Sequence, residues 1–462
     1  MSDEGLAAAR AKMAGAGVAT PAIEVFSHYY RLLESGHTGL IREDTIEPLT
    51  DPPMLEDLEV SEQAGHDALA QTAIIKLNGG LGTSMGLDRA KSLLEVRDGL
   101  NFLDIVVRQI TAARKRHGVR LPLVLMNSFR TEAETLAHLE RYPDLPVDGL
   151  ALSFLQNQET KLRAADLTPV EWPADPTLEW CPPGHGDLYP ALEGSGMLER
   201  LIQAGYRYAS VSNGDNLGAA PSAAIAGWFA QSGAPYVAEL CVRTVNDRKG
   251  GHLAVRKSDG QLILRDTAQT AADEMHYFTD EFRHRYFHTN NLWFDLHALR
   301  DALVARNSVL GLPMIRNEKT VDPADGSSTP VIQIESAMGA AIEVFEGATA
   351  ICVGRDRFLP VKTTNELLLL RSDVFQLGDD GRLSQTTQAV PAVSLDSAYY
   401  KRVNSFDARI PEAPSLRQAT ALRVSGDWTF GAGVTVVGDV ELPDPGEPRT
   451  IEAGSTLAQR AE

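Results

Sequence analysis

The sequence has few cysteines, no long apolar run and no excess of positive charge. Its three cysteines, Cys181, Cys241 and Cys352, are far apart and form no C-x-x-C pair, so they are expected to be buried thiols in a reducing compartment. No apolar stretch is long enough to span a membrane, and no signal peptide is expected at the acidic N-terminus. The sequence therefore predicts a cytoplasmic protein without membrane contact.

The charge balance excludes a further class of partner. Lysine and arginine number 43 against 62 aspartates and glutamates, a formal net charge of −19. Nucleic-acid binding needs a basic face, so it is not expected. A small anionic substrate would need a local group of cations, a metal or backbone N–H groups. The 462 residues, 43% of them hydrophobic, predict a soluble globular chain with a large core and more than one domain.

The most informative segment is the glycine-rich stretch at residues 74–92. A short apolar run ends at Gly79 and Gly80, and Lys91 follows within a dozen residues. Glycines let a backbone approach a ligand closely and direct N–H groups at it, while a lysine supplies a point charge for phosphate. The pattern favours a nucleotide-binding loop, although an ordinary glycine-rich turn from strand to helix has the same composition.

The two commonest nucleotide loops do not fit this segment. A Walker A loop requires glycines six and one positions before its lysine, where this chain has Met85 and Ala90. A dinucleotide fingerprint that begins at Gly80 requires a third glycine at the position of Met85. The spacing therefore points away from cleavage at a γ-phosphate and from hydride transfer.

Three regions follow one another along the chain. Residues 1–70 predict an N-terminal helical segment that packs on the core. Residues 71–375 alternate predicted strands (73–77, 121–126, 150–155 and 208–212) with predicted helices (102–113, 131–139, 197–204 and 222–230). This alternation predicts an α/β domain with a mostly parallel sheet, whose ligands bind at the carboxyl ends of the strands.

The third region, residues 376–462, has a different pattern. Short apolar alternations with regular glycines at residues 422–442 indicate a small β-solenoid, with a β-meander as the alternative. The turn-forming residues 443–446 are expected to end it. A solenoid can dock subunits by its exposed end, which leaves self-association through this region open.

Two short segments carry single chemical groups in favourable places. His185 lies between two glycines in the turn 182–187, which favours a role in a site over a purely structural one. Asp215 follows an apolar run, so it is expected at the carboxyl end of a strand, where a carboxylate can hold Mg²⁺ together with substrate phosphates. An Asn-Gly hairpin turn capped by Asp215 is the alternative.

Two further segments carry weaker signals. The amides of Asn290 and Asn291 suit sugar hydroxyls, and they also suit turns. Residues 355–364 contain three cations, Arg355, Arg357 and Lys362, in an otherwise acidic protein. This cluster indicates an anion site, with a solvated charged loop as the alternative.

Together these segments resemble, in order from about residue 26 to 377, the eukaryotic-type UTP–glucose-1-phosphate uridylyltransferases, or UDP-glucose pyrophosphorylases. The resemblance implies a Rossmann-like, GT-A-like nucleotidyltransferase with a mixed sheet flanked by helices and a small C-terminal left-handed β-helix. It implies the substrates UTP and glucose 1-phosphate, Mg²⁺, and the products UDP-glucose and pyrophosphate. An enzyme for another sugar 1-phosphate is the nearest alternative. A non-catalytic binding protein is disfavoured because Lys91, Asp215 and Lys362 are all present.

The resemblance also implies roles for individual residues. Lys91 and Lys362 match the catalytic, phosphate-binding lysines, and Asp215 matches the metal ligand. The nucleotide-binding positions are Leu77, Asn78, Gly79, Gly80, Lys91, Gln156, Gly184, Asn213, Gly214, Asp215 and Lys362. The positions implied near the sugar phosphate and hexose are His185, Asn213, Asn290, Asn291 and Glu335. The sequence departs from the family at Ala90, Leu155 and Gly214, which concerns the rigidity of these loops more than the reaction.

Overall fold

The computed structural model describes residues 2–244 and 247–458. Its α-helices are Ser2–Gly15, Thr20–Glu34, Glu62–Ala70, Phe102–His117, Glu132–Leu139, Leu188–Gly194, Met197–Gln203, Ala223–Ser232, Met275–Phe278, Leu296–Ala305, Thr364–Arg371, Ser397–Tyr400 and Val403–Arg409. The four predicted helices are all present, with ends shifted by a few residues. No helix in these residues is both long and apolar enough to cross a membrane.

A mixed sheet of ten strands dominates the described chain. Its main path runs Ile46–Pro48, Gly251–Arg256, Tyr286–Asp295, Tyr208–Asn213, Thr72–Asn78, Leu123–Asn127 and Ser153–Leu155. Tyr236–Val242 and Thr349–Cys352 extend it beside Tyr286–Asp295, and Leu262–Asp266 pairs with Gly251–Arg256. The mixed α/β architecture implied by the resemblance is confirmed.

The predicted parallel order holds in one part of this sheet and in one further pair, Tyr236–Val242 with Thr349–Cys352. The four predicted strands are neighbours, and all three of their pairings are parallel. Beyond Tyr208–Asn213, Tyr286–Asp295 and Gly251–Arg256 pair mainly with antiparallel neighbours, so the prediction of a mostly parallel sheet is wrong there. The connection at residues 257–261 explains part of this, because a parallel crossover needs a dozen residues or more.

The inner parallel strands of the sheet, Thr72–Asn78 and Leu123–Asn127, are buried on both faces. Ile74 and Ile75 alternate along Thr72–Asn78, so one packs into a cluster with Phe102 and Ile110 and the other into a cluster with Leu188 and Leu201. Such a strand reads as a continuous apolar run, which is why it was detectable from the sequence. Helix Phe102–His117 begins at an Asn101 capping box and ends at Gly118 in the left-handed region.

The first two helices, Ser2–Gly15 and Thr20–Glu34, pack away from the main sheet. Phe26 and Tyr30 of Thr20–Glu34 lie in a cluster with Leu162, Ile332 and Ile334. These last residues belong to a three-stranded sheet of Met314–Thr320, Pro330–Ser336 and Leu162–Arg163. Smaller strand pairs are Glu95–Arg97 with Leu100–Asn101, Glu159–Thr160 with Trp180–Cys181, and Phe375–Leu377 with Leu383–Gln385.

The tail is a coil of parallel β-strands, as in a solenoid, and not a meander. Strands Ala392–Leu395, Ser415–Val424, Thr435–Leu442 and Thr456–Ala458 pair in parallel, and so do Trp428–Phe430 and Arg449–Ile451. A meander would have antiparallel pairs, so that alternative is excluded. The prediction that residues 443–446 end the coil is wrong, because two strands follow them. Its apolar side chains join the cluster of Phe102 and Ile110.

Candidate functional site

Polar residues follow the ends of the four parallel strands and meet at one edge of the sheet. Asn78 ends Thr72–Asn78 and donates through Nδ2 to Oδ1 of Asn127, at 2.7 Å, at the end of the neighbouring strand. Gln156 follows Ser153–Leu155 and donates its backbone N–H to the Asn127 carbonyl at 2.7 Å. Asn213 ends Tyr208–Asn213. The carboxyl edge of the sheet thus gathers these predicted residues, as expected for this class of fold.

The glycine loop leaves room beside this edge. A Cβ on Gly79 would lie 2.5 Å from Oε1 of Gln156, whereas a Cβ on Gly80 would meet nothing within 4 Å. The loop is pinned from behind, because the backbone N–H of Lys91 donates to the Gly80 carbonyl at 3.1 Å and that of Ala90 donates to Glu134. The departure from the family at Ala90 therefore does not loosen the loop.

A cavity of about 670 Å³ opens over this edge. Such a volume is typical of sites for nucleotide-sized ligands. Most of the predicted residues line it, namely Leu77, Asn78, Gly79, Gly80, Lys91, Gln156, Gly184, His185, Asn213, Gly214 and Asp215. Residues that the sequence reasoning did not select also contribute to its wall, among them Ser128, Phe129, Asn157, Lys161 and Trp180.

A second cavity, of about 50 Å³, adjoins the first. His185 and Asn213 line both cavities, so the two are neighbours. The small cavity is also lined by Asn290, Lys362 and His288. Most of the predicted residues thus form one composite site, with Lys91 at the large cavity and Lys362 at the small one.

Lys91 and Asp215 form an ion pair at the large cavity. The Lys91 ammonium donates to Oδ2 of Asp215 at 2.6 Å and to the Val361 carbonyl, and the two side chains are about one fifth exposed. Asp215 comes two residues after the strand end and belongs to a turn, not to a hairpin between paired strands. The lysine is thereby fixed against both the 213–216 segment and the 357–362 segment.

Lys362 is held much more loosely. Its side chain is exposed and donates to the Lys249 carbonyl at 3.2 Å. The next residue, Thr363, caps helix Thr364–Arg371 by a reciprocal capping box. The helix therefore fixes the backbone position of Lys362, while the Lys362 ammonium stays free to reorient toward a ligand.

The neighbouring arginines do not form an open cationic cluster. Arg357 is buried and pairs with Glu239 through two hydrogen bonds of 2.7 and 2.8 Å. Arg355 pairs with Asp247 at 2.9 Å. The carboxylates of Glu239 and Asp247 neutralise these two arginines, so neither adds free positive charge to an anion site, and Lys362 is the cation of this segment that lines a cavity.

His185 is a neutral hydrogen-bonding group. Burial lowers its pKa to about 4, and its Nδ1 accepts the backbone N–H of Met338 at 2.9 Å. Because Nδ1 is the acceptor, the ring proton is assigned to Nε2. His185 therefore offers an N–H donor to a ligand and carries no charge at neutral pH.

The three residues predicted near the hexose lie at different depths. Asn290 lines the small cavity and has a positive φ of 58° within strand Tyr286–Asp295. Asn291 is buried behind it and donates to Glu239 at 3.1 Å and to the Arg357 carbonyl at 3.3 Å. Glu335 is half-buried beside Gly184 and does not line either described cavity. The alternative in which these two amides serve a turn is wrong, because both asparagines lie inside a strand.

Two glycines of the site are required by close backbone contacts. A Cβ on Gly214 would lie 2.8 Å from the Leu77 carbonyl, which also accepts the Gly214 N–H at 2.8 Å. Gly184 has φ +78°, and its Cβ would lie 2.6 Å from the Ser336 carbonyl. The departure at Gly214 thus permits a tight contact between neighbouring strand ends.

A buried polar network behind the site was not found from the sequence. Asn216 accepts the Leu359 N–H at 2.9 Å and donates to the Arg357 carbonyl at 3.1 Å and to Asn291 at 3.0 Å. Lys76 is 1% exposed and donates to Ser212 and the Ala219 carbonyl, and burial lowers its pKa to about 7. Two local signals pointed to it: an asparagine directly after Asp215 and a lysine inside an apolar strand.

The donor set fits a hard cation only in part. Within residues 2–244 and 247–458, no three histidine, cysteine or acidic side chains converge on one point. Asp215 offers a single carboxylate at the cavity wall. Mg²⁺ commonly binds through one or two carboxylates with phosphate oxygens and waters as the other ligands, so this arrangement fits a metal that arrives with a phosphate-bearing substrate.

Comparison with known proteins places the chain in a family. The family model for UTP–glucose-1-phosphate uridylyltransferase matches residues 23–437. A probable UTP–glucose-1-phosphate uridylyltransferase of Schizosaccharomyces pombe is 38% identical over 423 residues, which cover 90% of this chain and 81% of that protein. The enzyme of that name from Solanum tuberosum is 37% identical, over 85% of this chain and 81% of its own.

Solved structures agree with this placement. A UDP-glucose phosphorylase of Trypanosoma brucei has a TM-score of 0.92 at 40% identity, with 98% of both chains covered. A variant of Leishmania major UDP-glucose pyrophosphorylase in complex with UDP-glucose has a TM-score of 0.93 at 39% identity, with 99% of both covered. The L. major enzyme is also known in open and closed structures (TM-score 0.93, 40% identity, 99% and 98% covered). This chain belongs to the UTP–glucose-1-phosphate uridylyltransferase family.

Proposed function

We propose that this chain converts UTP and glucose 1-phosphate into UDP-glucose and pyrophosphate, with Mg²⁺. The observation that carries the proposal is the pair of adjoining cavities, which share His185 and Asn213 and are flanked by Lys91 and Lys362. Family membership and the UDP-glucose bound by a relative with a TM-score of 0.93 support it. An enzyme of the same reaction type with another sugar 1-phosphate is the second candidate.

The large cavity is proposed to hold the nucleotide. The open space beside Gly80 admits a ligand against the backbone, and Gln156 offers an amide that can both donate and accept hydrogen bonds to a uracil. Gly184 also lines this cavity, and because it has no side chain it leaves room for the nucleotide. Leu77, Asn78, Gly79, Asn213 and Gly214 complete the proposed nucleotide contacts.

The small cavity is proposed to hold the hexose. Asn290 presents an amide there, and His185 is proposed to donate Nε2–H to the sugar phosphate from the boundary of the two cavities. Asn291 and Glu335 do not line the cavity, so their contribution would be to hold Asn290 and Gly184 in place. With a volume of about 50 Å³, the cavity must open further to admit a sugar.

The reaction needs no general base on the protein. The attacking group is a phosphate oxygen of glucose 1-phosphate, which is ionised at neutral pH because the second pKa of a phosphomonoester is about 6. It attacks the α-phosphorus of UTP in line with the departing pyrophosphate, and no covalent enzyme intermediate forms. The depressed pKa of His185 fits this scheme, since a neutral histidine binds the phosphate without taking up a proton.

Catalysis therefore depends on position and charge. Two anions must approach each other, and fixed cations that face the developing charge lower that barrier. Asp215 is proposed to hold Mg²⁺, which when bound would neutralise the nucleotide phosphates. Lys91 and Lys362 are proposed to contact the phosphates from two walls, with Lys362 swinging from the Lys249 carbonyl as the site closes.

Three larger features remain proposals. We take residues 1–70, 71–375 and 376–462 as the N-terminal segment, the catalytic domain and the C-terminal domain. The parallel coil of the tail is proposed to be a left-handed β-helix, on the basis of the family resemblance. The last strand within the described residues, Thr456–Ala458, is largely exposed, pairs with Thr435–Leu442 and is a proposed site of self-association.

A panel of sugar 1-phosphates tests this proposal. The purified chain is incubated with UTP, MgCl₂ and glucose, galactose or N-acetylglucosamine 1-phosphate, and pyrophosphate release is followed. Glucose 1-phosphate should give the highest kcat/KM, and omission of Mg²⁺ should abolish release. A faster reaction with another sugar supports the second candidate, and no release with any sugar contradicts both.

A further inference from the structure

A buried carboxylate connects two walls of the large cavity. Asp187 is 2% exposed and ends the short turn His185–Asp187, directly after Gly184. Its Oδ2 accepts the backbone N–H of Asn157 at 2.6 Å, and its Oδ1 accepts Nδ2 of the same residue at 2.9 Å. Both oxygens therefore hold a segment that comes about thirty residues earlier in the chain.

The segment held in this way carries the proposed base-reading amide. Gln156 and Asn157 both line the cavity. The backbone N–H of Gln156 is fixed to Asn127, and its Oε1 lies against Gly79. Asn157 is the next anchor along the chain, so the Asp187 contacts set how residues 156 and 157 leave the sheet edge. Discrimination between bases depends on the placement of such donors and acceptors.

A second buried acid lies close to Asp187. Glu159 is 3% exposed, and burial together with the charge of Asp187 raises its pKa well above the ordinary value. Burial also raises the pKa of Asp187, to about 7, against the two Asn157 hydrogen bonds that lower it. Asn157 donates both of its N–H groups to Asp187, and these hydrogen bonds favour the charged form of Asp187.

We propose that Asp187 is a positioning residue for nucleobase selection, which holds Asn157 and thereby the Gln156 amide at the base end of the cavity. The inference rests on the proposed function of this cavity as the UTP site. Asp187 touches no substrate in this account. It acts through Asn157, and it ties the base-reading segment to the turn that carries Gly184 and His185.

The variant Asp187→Asn removes one acceptor with little change in shape. The new amide would face one of the two Asn157 donors with a donor of its own, so one hydrogen bond is lost and the segment shifts. The loss of one such buried contact corresponds to about a tenfold effect. We expect the preference for UTP over CTP, measured as the ratio of their dissociation constants at pH 8, to fall by about this factor.

The measurement separates positioning from a general structural defect. Calorimetric titration gives the dissociation constants of UTP and CTP for the wild type and the variant. If Asp187 serves only the fold, both nucleotides weaken equally and the ratio stays at the wild-type value, which overturns the proposal. The matched control is Asp166→Asn, an exposed aspartate that likewise accepts a backbone N–H, from Thr168, and that should leave the ratio unchanged.

A second variant keeps the test decisive if Asp187→Asn does not fold. Asn157→Ala removes the Nδ2 donor and leaves the backbone N–H contact to Asp187, so it should lower the UTP preference in the same direction. An unchanged ratio in Asn157→Ala also overturns the inference. If the wild type makes no UDP-sugar, the proposed function fails; if it does but both variants keep its base preference, only the role of Asp187 fails.

Discussion

Lys91 and Lys362 flank the same composite site but are held in opposite ways. Lys91 is about one fifth exposed and is bound to Asp215 and the Val361 carbonyl. Lys362 is exposed and donates to the Lys249 carbonyl at 3.2 Å. Lys91 is therefore in position before a ligand arrives, whereas Lys362 can move toward a ligand once it is bound. The difference suggests that the nucleotide wall is preorganised and that closure completes the site.

The largest effect should come from the recruited lysine. Lys362→Ala removes a cation that we place at the developing phosphate charge, and loss of one such group typically lowers turnover by about 10²–10³. The fold should be retained because the side chain is exposed. Turnover at saturating substrates and the circular dichroism spectrum provide the measurement.

Lys257→Ala is the matched control for this variant. Lys257 is also an exposed lysine that donates to a backbone carbonyl, that of Asp44, at 3.0 Å, outside both cavities. It should retain wild-type turnover. Near-wild-type turnover of Lys362→Ala would show that this lysine has no role in the reaction and would contradict the comparison of Lys91 with Lys362.

The histidine between the two lysines should show its neutrality in the pH dependence of stability. His185 has a pKa of about 4 in the fold against 6.5 when unfolded, so below pH 6.5 the unfolded chain takes up a proton that the folded chain does not. Its contribution to stability should fall by up to about 3 kcal/mol between pH 6.5 and 4. Urea unfolding of wild type and His185→Gln across this range isolates the contribution.

Because other buried histidines titrate in the same direction, the quantity of interest is the difference between the two proteins. The variant should lose less stability than the wild type on acidification. Parallel curves would mean that His185 is as easily protonated in the fold as in the unfolded chain.

Asp215→Asn tests the partner of the preorganised lysine. A neutral amide is a poorer ligand for Mg²⁺ than a carboxylate, so half-maximal activity should require more Mg²⁺, by about tenfold if one contact worth 1.4 kcal/mol is lost. The Mg²⁺ titration of activity at fixed UTP provides the readout. An unchanged titration would separate Asp215 from the metal.

The smallest expected effect lies in stability and concerns the lysines directly. Lys91→Ala breaks a partly buried ion pair and a contact to the Val361 carbonyl, so it should destabilise the fold by about 1 kcal/mol, whereas Lys362→Ala should change it by less than about 0.5 kcal/mol. Chemical unfolding of both variants at one pH gives the two values. Equal losses of stability in the two variants would contradict the conclusion that Lys91 is fixed and Lys362 is loosely held.

The parts of the molecule that the sequence predicted are those with local causes. Strand Thr72–Asn78 and its glycine turn were evident because a strand buried on both faces is continuously apolar and Gly79 and Gly80 follow it. The helices near residues 102 and 222 have capping residues beside them, Asn101 and Ser222.

The parts that were missed depend on partners from distant segments. Arg357 pairs with Glu239, which comes more than a hundred residues earlier in the chain. A segment that reads as a charged loop in the sequence therefore contains a buried ion pair in the fold. The anchoring of Asn157 by Asp187 had the same origin. The sequence supplied the residues of the site, but the contacts that hold them come from long-range packing.

The stereochemistry of the transfer tests the central claim of direct attack within one composite site. The substrate is a single diastereomer of a UTP analogue in which sulfur replaces one non-bridging oxygen on the α-phosphorus. It is converted with glucose 1-phosphate, and the configuration at the sulfur-bearing phosphorus of the UDP-glucose product is determined by phosphorus NMR. A single in-line displacement predicts inversion at that phosphorus. Retention would require two displacements through a covalent enzyme intermediate and would contradict the account.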